Sequence, residues 1–348
     1  MTHDSTFRLY GTLRLLHDGV VSERPPHDPI ADPFPPERAA ASALWEGLPA
    51  ARLTPPPLDA PCPYLEQNFS DGEDGGETVR MPAPVYLCGP ATSSMDVARR
   101  LAASEQLPVW GSALALSQRS GRGQLGRNWV SPEGNVYAAL RLPEVHPFTG
   151  TAAAPAVGGL IAEALSGMGF PVHMKWPNDL LQRADLKEGW AKVGGILLEE
   201  RVLPRREGAP AENFLMAGIG LNLAYSPPAD LMRAQRAVPA GRLASATKSV
   251  ECPYSVAGLW MRLVSRIFFC YVEEIDAKGK NAWRSLAERH LAFLGQPVLL
   301  TDGPDERERH SGVLEGLDDC GGLRLRNRGE TVGFLSGSLQ LDRHPMQP

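Results

Sequence analysis

Cysteine is scarce in this sequence. Five cysteines occur among 348 residues, and no two of them are separated by only two other residues. The pattern therefore contains neither a CxxC zinc motif nor a disulfide framework. We interpret the cysteines as reduced thiols, which predicts a cytoplasmic protein.

An excess of basic charge and a long apolar run are also lacking. Lys and Arg number 35 against 40 Asp and Glu, a net charge of −5, which argues against a surface built mainly for nucleic acid. The longest weakly charged stretch, around residues 149–171, is interrupted by Pro155, Glu163 and several glycines. It predicts a buried helix rather than a membrane span. The N-terminus carries Asp4 and Asp18 and lacks the apolar segment of a signal peptide.

Three segments of the chain differ in pattern. Residues 1–82 contain proline-rich blocks and an acidic run, which predict loops with a strand pair near Leu9. Residues 83–291 alternate between helical and strand patterns, beginning with a capping box at residues 93–96. Residues 292–345 contain short strand-like runs between Gly- and Asp-rich turns, which predict a small β-barrel. The elements predicted for the middle segment are strands at 113–117, 136–142, 172–176, 193–198 and 214–223, and helices near 156–168, 255–275 and 282–294.

The most informative segment is a glycine-rich loop. Gly121, Gly123 and Gly126 formally match the GxGxxG dinucleotide fingerprint, but that fingerprint requires a helix to begin directly after it. The following residues include Trp129 and Pro132, which are poor helix openers, so we reject a Rossmann fold. Phosphate-loop and protein-kinase motifs are also absent from the sequence.

The same loop carries Arg122 and Arg127 between two predicted strands. Glycines allow the backbone to approach a ligand closely, and guanidinium groups bind phosphate or carboxylate through paired hydrogen bonds. Taken alone, the loop is somewhat better explained as a surface turn whose arginines are solvated.

Three further segments follow along the chain. They are Lys175-Trp-Pro-Asn-Asp179, Lys192-Val-Gly-Gly-Ile-Leu-Leu-Glu199 and Ala217-Gly-Ile-Gly-Leu-Asn222. Each has an ordinary structural explanation by itself: a turn capped by Asn and Asp, a lysine at the edge of a sheet, and a core strand that ends in an Asn turn.

Together, the four segments resemble the biotin–protein ligase family, with its GRGRxGRxW-like loop, KWPND segment, KxxGIL segment and GIGxN-like strand. The resemblance covers residues 84–343. It implies an α+β fold, in which residues 83–291 form a biotin- and ATP-binding catalytic domain with a mixed sheet, similar to class II synthetases and lipoate ligases. Residues 292–345 would form a small SH3-like β-barrel. Residues 1–82 would be a Pro-rich extension of unknown role, in which we find no DNA-binding helix-turn-helix.

The resemblance implies that the enzyme uses ATP to convert biotin into biotinyl-5′-AMP with release of pyrophosphate. Biotin is then transferred to a lysine of a biotin carboxyl carrier protein, such as that of acetyl-CoA carboxylase. Because a carboxylate must approach the α-phosphorus of a polyanion, cationic side chains and Mg²⁺ are expected to offset the repulsion. No nucleic-acid or membrane partner is implied, and a homodimer is compatible with the sequence.

By the same resemblance, Arg122 and Lys192 are the expected catalytic residues. The expected site residues form three groups: Ser93, Ser94, Met95, Gln118, Arg122, Gly123, Gln124 and Lys192 for biotin; Arg127, Trp129, Asn178, Asp179 and Asn222 for ATP; and Asp179 for a metal ion.

Two residues depart from the family pattern. Met95 stands where the family usually has Asn, and a thioether cannot replace the hydrogen bonds of an amide. Gln124 stands where the family loop often has Arg, so one positive charge is lost. We therefore expect the adenylate to be held less tightly than by a GRGR-type loop.

Three alternatives compete with this interpretation. A lipoate ligase shares the adenylate chemistry and a lysine in the region of Lys192, but the GRGQLGRNW loop and the C-terminal barrel favour biotin. A non-catalytic regulator that binds biotin or a nucleotide is supported only by the substituted segment at Met95. A nucleic-acid-binding module would need a continuous basic face with interleaved aromatic residues, which we do not find.

Overall fold

The protein folds into two compact units. Unit 1 contains residues 1–144, 197–225 and 242–268, and unit 2 contains residues 145–196, 226–241 and 269–348. The boundaries predicted at 82/83 and 291/292 therefore each fall within one unit. The computed structural model describes residues 8–16, 20–21, 28–34, 62–70, 78–185, 189–203, 212–228, 238–246, 252–279, 281–302 and 308–342.

Strands dominate the described residues. The strands are β1 (Arg8–Leu16), β2 (Val20–Val21), β3 (Pro29–Ala31), β4 (Tyr64–Ser70), β5 (Thr78–Arg80), β6 (Val85–Cys88), β7 (Ser112–Ala115), β8 (Val136–Leu142), β9 (Val172–Lys175), β10 (Asp179–Asp185), β11 (Gly189–Leu203), β12 (Glu212–Leu221), β13 (Pro297–Asp302), β14 (Glu308–Leu317), β15 (Leu323–Asn327), β16 (Glu330–Phe334) and β17 (Ser338–Leu341). The α-helices are α1 (Ser94–Ala103), α2 (Ala153–Gly167), α3 (Val256–Cys270) and α4 (Ala282–Arg289), and a π-helical turn (Tyr271–Asp276) follows α3.

Unit 1 is built on a mixed sheet with the strand order β4-β1-β6-β7-β8-β12. β1 and β6, and likewise β6 and β7, run parallel, whereas the other neighbours in this order are antiparallel. This arrangement confirms the mixed sheet expected from the sequence. The predicted strands at 136–142 and 214–223 correspond to β8 and β12.

The first strand joins part of the N-terminal segment to this sheet. Leu13 lies opposite Val85, and Leu15 lies opposite Leu87, so β1 pairs directly with β6. Leu9, Leu13 and Leu15 are buried, which confirms a strand pair near Leu9. Most of the proline-rich blocks and the acidic run lie outside the described residues.

Helix α1 begins where the sequence predicted a capping box, and the structure shows the Ser93 half of it, while the Asp96 carboxylate accepts the hydroxyl of Thr92. The Ser93 hydroxyl accepts a hydrogen bond from the backbone N–H of Met95, as expected of an N-cap. Val97, Ala98 and Leu101 are buried on one face, and the helix packs against β7, β8 and β12. Burial of this face therefore places the start of α1 close to the sheet.

Unit 2 contains the β9–β10 hairpin, the first part of β11, helices α2 and α4, and a C-terminal sheet. β10 pairs antiparallel with β9 on one side and with β11 on the other. α2 packs on α4 and β9, and the close approach of the two helices depends on Gly159. A Cβ at that position would lie 2.7 Å from Cα of Ala287.

The C-terminal sheet is antiparallel, with the order β16-β15-β14-β13-β17. It agrees with the small β domain predicted for residues 292–345, although β17 was not predicted. The sheet is tied to α4 because a carboxylate oxygen of Glu288 accepts the backbone N–H of Leu317 at 2.8 Å. No helix among the described residues meets the length and apolarity that crossing a bilayer requires.

Helix α4 is shorter than predicted. It ends at Arg289 rather than near Leu294. The backbone N–H of Met174 donates to the carbonyl of His290, and the backbone N–H of Ala292 donates to the carbonyl of Met174. These bonds to β9 replace the hydrogen bonds that would have continued the helix. Because β9 is distant in sequence, the local pattern could not predict them.

The α2–α4 contact yields a stability prediction. In Gly159→Ala, the new methyl group meets the backbone of Ala287, which should cost about 1–3 kcal/mol of unfolding free energy and outweigh the gain of roughly 0.8–1.0 kcal/mol in helix propensity. Urea unfolding followed by circular dichroism measures the difference. The control is Gly333→Ala, where the nearest atom to a new Cβ lies at 3.5 Å, and its stability should be unchanged or slightly higher. Equal midpoints for Gly159→Ala and the wild type would contradict the close packing.

Candidate active site

The structure brings the predicted site residues into two groups, one in each unit. The loop cluster in unit 1 consists of the start of α1, the glycine-rich loop at residues 117–131 and the facing residues of β12. The lysine cluster in unit 2 consists of Lys175, Asp179 and Lys192.

A hydrogen-bonded relay connects the loop to α1. The Oε1 atom of Gln118 accepts the backbone N–H of Ser94 at 2.9 Å, and Nε2 of Gln118 donates to Oγ of Ser131 at 2.9 Å. The Ser131 hydroxyl in turn donates to the carbonyl of Trp129 at 2.7 Å. Gln118 and Ser94 were predicted from the sequence, whereas the role of Ser131 as their partner was not.

Two glycines make room for this arrangement. A Cβ on Gly121 would lie 2.4 Å from the carbonyl oxygen of Trp129 and 2.6 Å from Oγ of Ser131. A Cβ on Gly220 would lie 2.8 Å from the Trp129 indole ring. The glycines of the loop and of β12 therefore allow the Trp129 side chain to lie against the sheet.

Met95, the residue that departs from the family pattern, belongs to the hydrophobic core. Its side chain is 3 % exposed, and its Sδ atom lies 2.7 Å from the place that a Cβ on Gly218 would take. The methionine thus fills the space above a glycine of β12. Its assignment to biotin stays a prediction.

Arg122 is held by the carboxylate of Asp96, which the sequence had indicated only as part of the capping box of α1. Nη2 of Arg122 donates to Oδ1 of Asp96 at 2.8 Å, and Nη1 donates to Oδ2 at 3.3 Å. Burial raises the pKa of Asp96, but the hydrogen bonds from Arg122 and Thr92 and the charges of Arg122 and Arg99 outweigh it and lower that pKa. Asp96 therefore stays ionised and keeps the guanidinium group in place.

The tip of the loop is open to solvent. The backbone N–H of Gly123 donates to the carbonyl of Arg127 at 2.8 Å, which closes the loop. Gln124, Leu125 and Arg127 are exposed, and Leu125 has a positive φ of 57°. The side chains predicted for the adenylate and ATP at this tip are thus free of the protein core.

The lysine cluster in unit 2 centres on Asp179. Oδ2 of Asp179 accepts a hydrogen bond from Nζ of Lys175 at 2.8 Å, and Oδ1 contacts Nζ of Lys192. Burial alone would raise the pKa of Asp179, but the two ammonium groups lower it to about 2. The cluster is a carboxylate shared by two cations, with one net positive charge.

A β-bulge directs Lys192 towards Asp179. Leu180 lies opposite Gly194, but Leu181 lies opposite Lys192, so one residue of β11 is left over. Alternate residues of a strand share a face. Because Lys192 is opposite Leu181, it shares the face of Asp179, whereas an unbulged pairing would turn it to the other face.

Asn178 is engaged by the backbone of β11. Its Nδ2 atom donates to the carbonyl of Ile196 at 2.9 Å, and its own carbonyl accepts the N–H of Ile196 at 2.9 Å. The preceding Trp176 is buried, and its indole N–H donates to the carbonyl of Gly321. These bonds hold the Lys175-Trp-Pro-Asn-Asp179 turn in place, so Asn178 has a structural task in addition to its predicted contact with ATP.

Asn222 lies in unit 1, buried at the end of β12, and its carbonyl accepts the N–H of Leu243 at 2.7 Å. The turn after it is organised by Asn135. Oδ1 of Asn135 accepts the backbone N–H groups of residues 223–225, at 2.8 to 3.0 Å. No sequence motif indicates Asn135, because its backbone partners lie about ninety residues away.

The prediction of a metal ion at Asp179 does not fit this geometry. Both carboxylate oxygens of Asp179 already contact ammonium groups. Among the residues that the structure describes, no three His, Cys, Asp or Glu side chains are grouped as metal ligands. The donor set is that of an ion-pair cluster, and the metal assignment stays a prediction that the geometry does not favour.

Comparison with known proteins identifies the family of this chain. Residues 88–208 match the model of the biotin/lipoate A/B protein ligase family. The chain is 32 % identical over 225 residues to the biotin–[acetyl-CoA-carboxylase] ligase of Paracoccus denitrificans, with 61 % of this chain and 82 % of that protein covered. The chain therefore belongs to the biotin/lipoate A/B protein ligase family.

Solved structures show the same fold. The biotin protein ligase from Aquifex aeolicus in complex with biotin and ATP is 21 % identical, with 74 % of this chain and 99 % of that chain covered and a TM-score of 0.56. Another structure of the Aquifex aeolicus enzyme is 18 % identical, with 74 % and 98 % covered and a TM-score of 0.53. These similarities confirm the α+β fold that was predicted from the sequence.

The lysine cluster predicts a pH-dependent loss of stability in Asp179→Asn. At pH 7 the variant should be about 3 kcal/mol less stable, because Lys175 and Lys192 lose the charge that balances them. The wild-type advantage is present above the unfolded Asp pKa of roughly 3.9 and disappears as the pH falls through the folded value of about 2. Denaturant unfolding at several pH values measures it.

The control for this prediction is Asp319→Asn. Asp319 also pairs with a cation, Arg284, but its side chain is 71 % exposed, so its loss should cost less than about 0.5 kcal/mol. An Asp179→Asn variant as stable as this control at pH 7 would refute the role assigned to the cluster.

Proposed function

We propose that this protein is a biotin–protein ligase that activates biotin with ATP and transfers it to a lysine of a biotin carboxyl carrier protein. The observation that carries the proposal is the 32 % identity, over 82 % of its length, to a biotin–[acetyl-CoA-carboxylase] ligase. The loop cluster and the lysine cluster support it, since each holds one of the two expected catalytic cations on a folded support.

The first step joins a carboxylate to a phosphorus atom. An oxygen of the biotin carboxylate forms a bond to the α-phosphorus of ATP, and the bond from that phosphorus to the bridging oxygen breaks, so pyrophosphate leaves with the electron pair. Negative charge builds up around the phosphorus. We assign to Arg122 and Lys192 the task of stabilising this charge.

The second step transfers the acyl group. The neutral amine of a carrier lysine attacks the carbonyl carbon of the mixed anhydride, AMP leaves with the electron pair of the broken C–O bond, and the amine loses a proton. A mixed anhydride reacts readily, so the chief demand on the protein is to exclude water and to position the amine.

The remaining predicted residues divide by their surroundings. Ser93, Ser94 and Gln118 lie at the start of α1 and are proposed to meet the polar ring of biotin, where one N–H of the Gln118 amide is left after its bond to Ser131. The exposed Gln124 and Arg127 are proposed for the adenylate and ATP. Mg²⁺ is proposed to arrive with ATP, held chiefly by phosphate oxygens.

The carrier and the setting are also proposals. The named relative acts on acetyl-CoA carboxylase, so we propose the carrier protein of that enzyme as the substrate. We further propose a cytoplasmic location, as the scattered cysteines suggest, and action without nucleic acid or membrane. A homodimer is compatible with these proposals.

The test is biotin-dependent exchange of labelled pyrophosphate into ATP. We expect exchange with biotin and none with lipoate. Arg122→Ala and Lys192→Gln should each lower kcat/KM for biotin by about 100-fold or more, the typical loss when a transition-state donor is removed. The matched control is Lys278→Gln, an exposed lysine paired with Glu274, which should retain activity within about twofold. Exchange with lipoate alone would assign the chain to the lipoate ligases, and exchange with neither acid would refute the proposal.

A second prediction concerns the tip of the loop. Gln124→Arg adds a cation at an exposed position, so biotinyl-5′-AMP should dissociate about three- to tenfold more slowly at low salt, with a smaller effect at high salt. Stopped-flow fluorescence measures the dissociation rate. Equal rates for the variant and the wild type would show that the missing arginine does not weaken binding.

A further inference from the structure

Arg122 takes a defined position although its loop is largely exposed. Residues 124–128 are all exposed, and the Arg122 side chain is 37 % exposed. A long side chain in such a loop ordinarily samples many rotamers, and ordering it costs entropy when a ligand binds. The two hydrogen bonds to Asp96 remove this freedom before any ligand arrives.

Asp96 is itself firmly held. It lies in the first turn of α1, where a negative charge is favoured by the helix dipole. Oδ2 of Asp96 accepts the hydroxyl of Thr92 at 2.8 Å, and Oδ1 contacts Arg99. Its side chain is 17 % exposed. The carboxylate is therefore a rigid anchor, in contrast to the loop that carries Arg122.

The geometry leaves Arg122 able to bind a second anion. A guanidinium group has five N–H bonds, and the pair with Asp96 uses one from Nη1 and one from Nη2. The Nε–H and a neighbouring Nη–H form a second donor edge at an angle to the first. Asp96 and a substrate carboxylate or phosphate can thus occupy different edges of the same group.

We propose that Asp96 is a positioning residue that orients Arg122 for the anionic group of the substrate. This inference rests on the proposed function, in which that group is the biotin carboxylate. Asp96 does not touch the substrate and acts only through Arg122. Its loss should weaken the binding of biotin while leaving the fold and the site for ATP largely intact.

The kinetic test uses pyrophosphate exchange by the full chain. In Asp96→Asn, kcat/KM for biotin should fall about tenfold, because a misplaced Arg122 serves neither the carboxylate nor the charge at phosphorus, whereas KM for ATP should change less than about threefold. A double variant, Asp96→Asn with Arg122→Ala, should be no worse than Arg122→Ala alone, since contacting residues are not additive. Asp96→Glu keeps the charge and should recover part of the lost kcat/KM for biotin.

The matched control is Asp32→Asn. Asp32 also pairs with an arginine of the loop, Arg119, but its side chain is 51 % exposed, so kcat/KM for biotin should stay within about twofold of the wild type. A purely structural role of Asp96 would lower the folded fraction and leave kcat/KM for biotin, measured per folded enzyme, unchanged. That result, or additive losses in the double variant, would overturn the proposal.

A ligand-free test separates this proposal from the proposed function. Trypsin cleaves after arginine only when the side chain can leave its partner, and Arg127 in the same loop serves as the reference site. In Asp96→Asn, the ratio of cleavage after Arg122 to cleavage after Arg127 should rise at least threefold, and in Asp32→Asn it should not change. An unchanged ratio in Asp96→Asn refutes positioning whatever the enzyme's activity. Absence of biotin-dependent exchange in the wild type would refute the proposed function. The cleavage ratio would then still show whether Asp96 positions Arg122.

Discussion

Both clusters depend on one electrostatic constraint, which is that a carboxylate taken out of water must be matched by cations. Asp96 at the start of α1 meets this requirement with Arg122, and Asp179 at the start of β10 meets it with Lys175 and Lys192. Each aspartate belongs to a regular element, whereas its partners lie in a loop, at a strand end or beside a bulge. The negative charges therefore determine where the positive charges of the proposed chemistry are placed.

Steric space complements this electrostatic arrangement. A side chain at Gly121 would collide with the backbone of Trp129, and one at Gly220 would collide with its ring. The bulge in β11 turns Lys192 to the face of Asp179. In both cases a local feature of the backbone, a glycine or a bulge, allows a contact with a residue elsewhere in the chain. Gly121 and Gly220 are thus explained by close approach of the chain to itself, independently of any ligand.

Local patterns predicted much of this structure. The N-cap at Ser93, the strand at 136–142 and the mixed character of the sheet follow from short-range pattern or from the family motifs. The partners Asp96 and Ser131 and the bulge beside Lys192 did not follow, because each is defined by a residue distant in sequence. Pairing between distant segments is decided by tertiary contacts that override local propensity. For the same reason the sequence did not indicate that β1, within the predicted extension, pairs with β6.

The two departures from the family pattern have different physical consequences. Met95 is buried, and the absence of a side chain at Gly218 provides the space that its longer side chain fills. Met95 therefore contributes to the packing between α1 and β12 in the free protein. Gln124 is exposed at the loop tip, outside the core. Because a charge in water contributes little until a ligand displaces the solvent around it, the effect of Gln124 must be confined to the bound state, whereas Met95 also shapes the free protein.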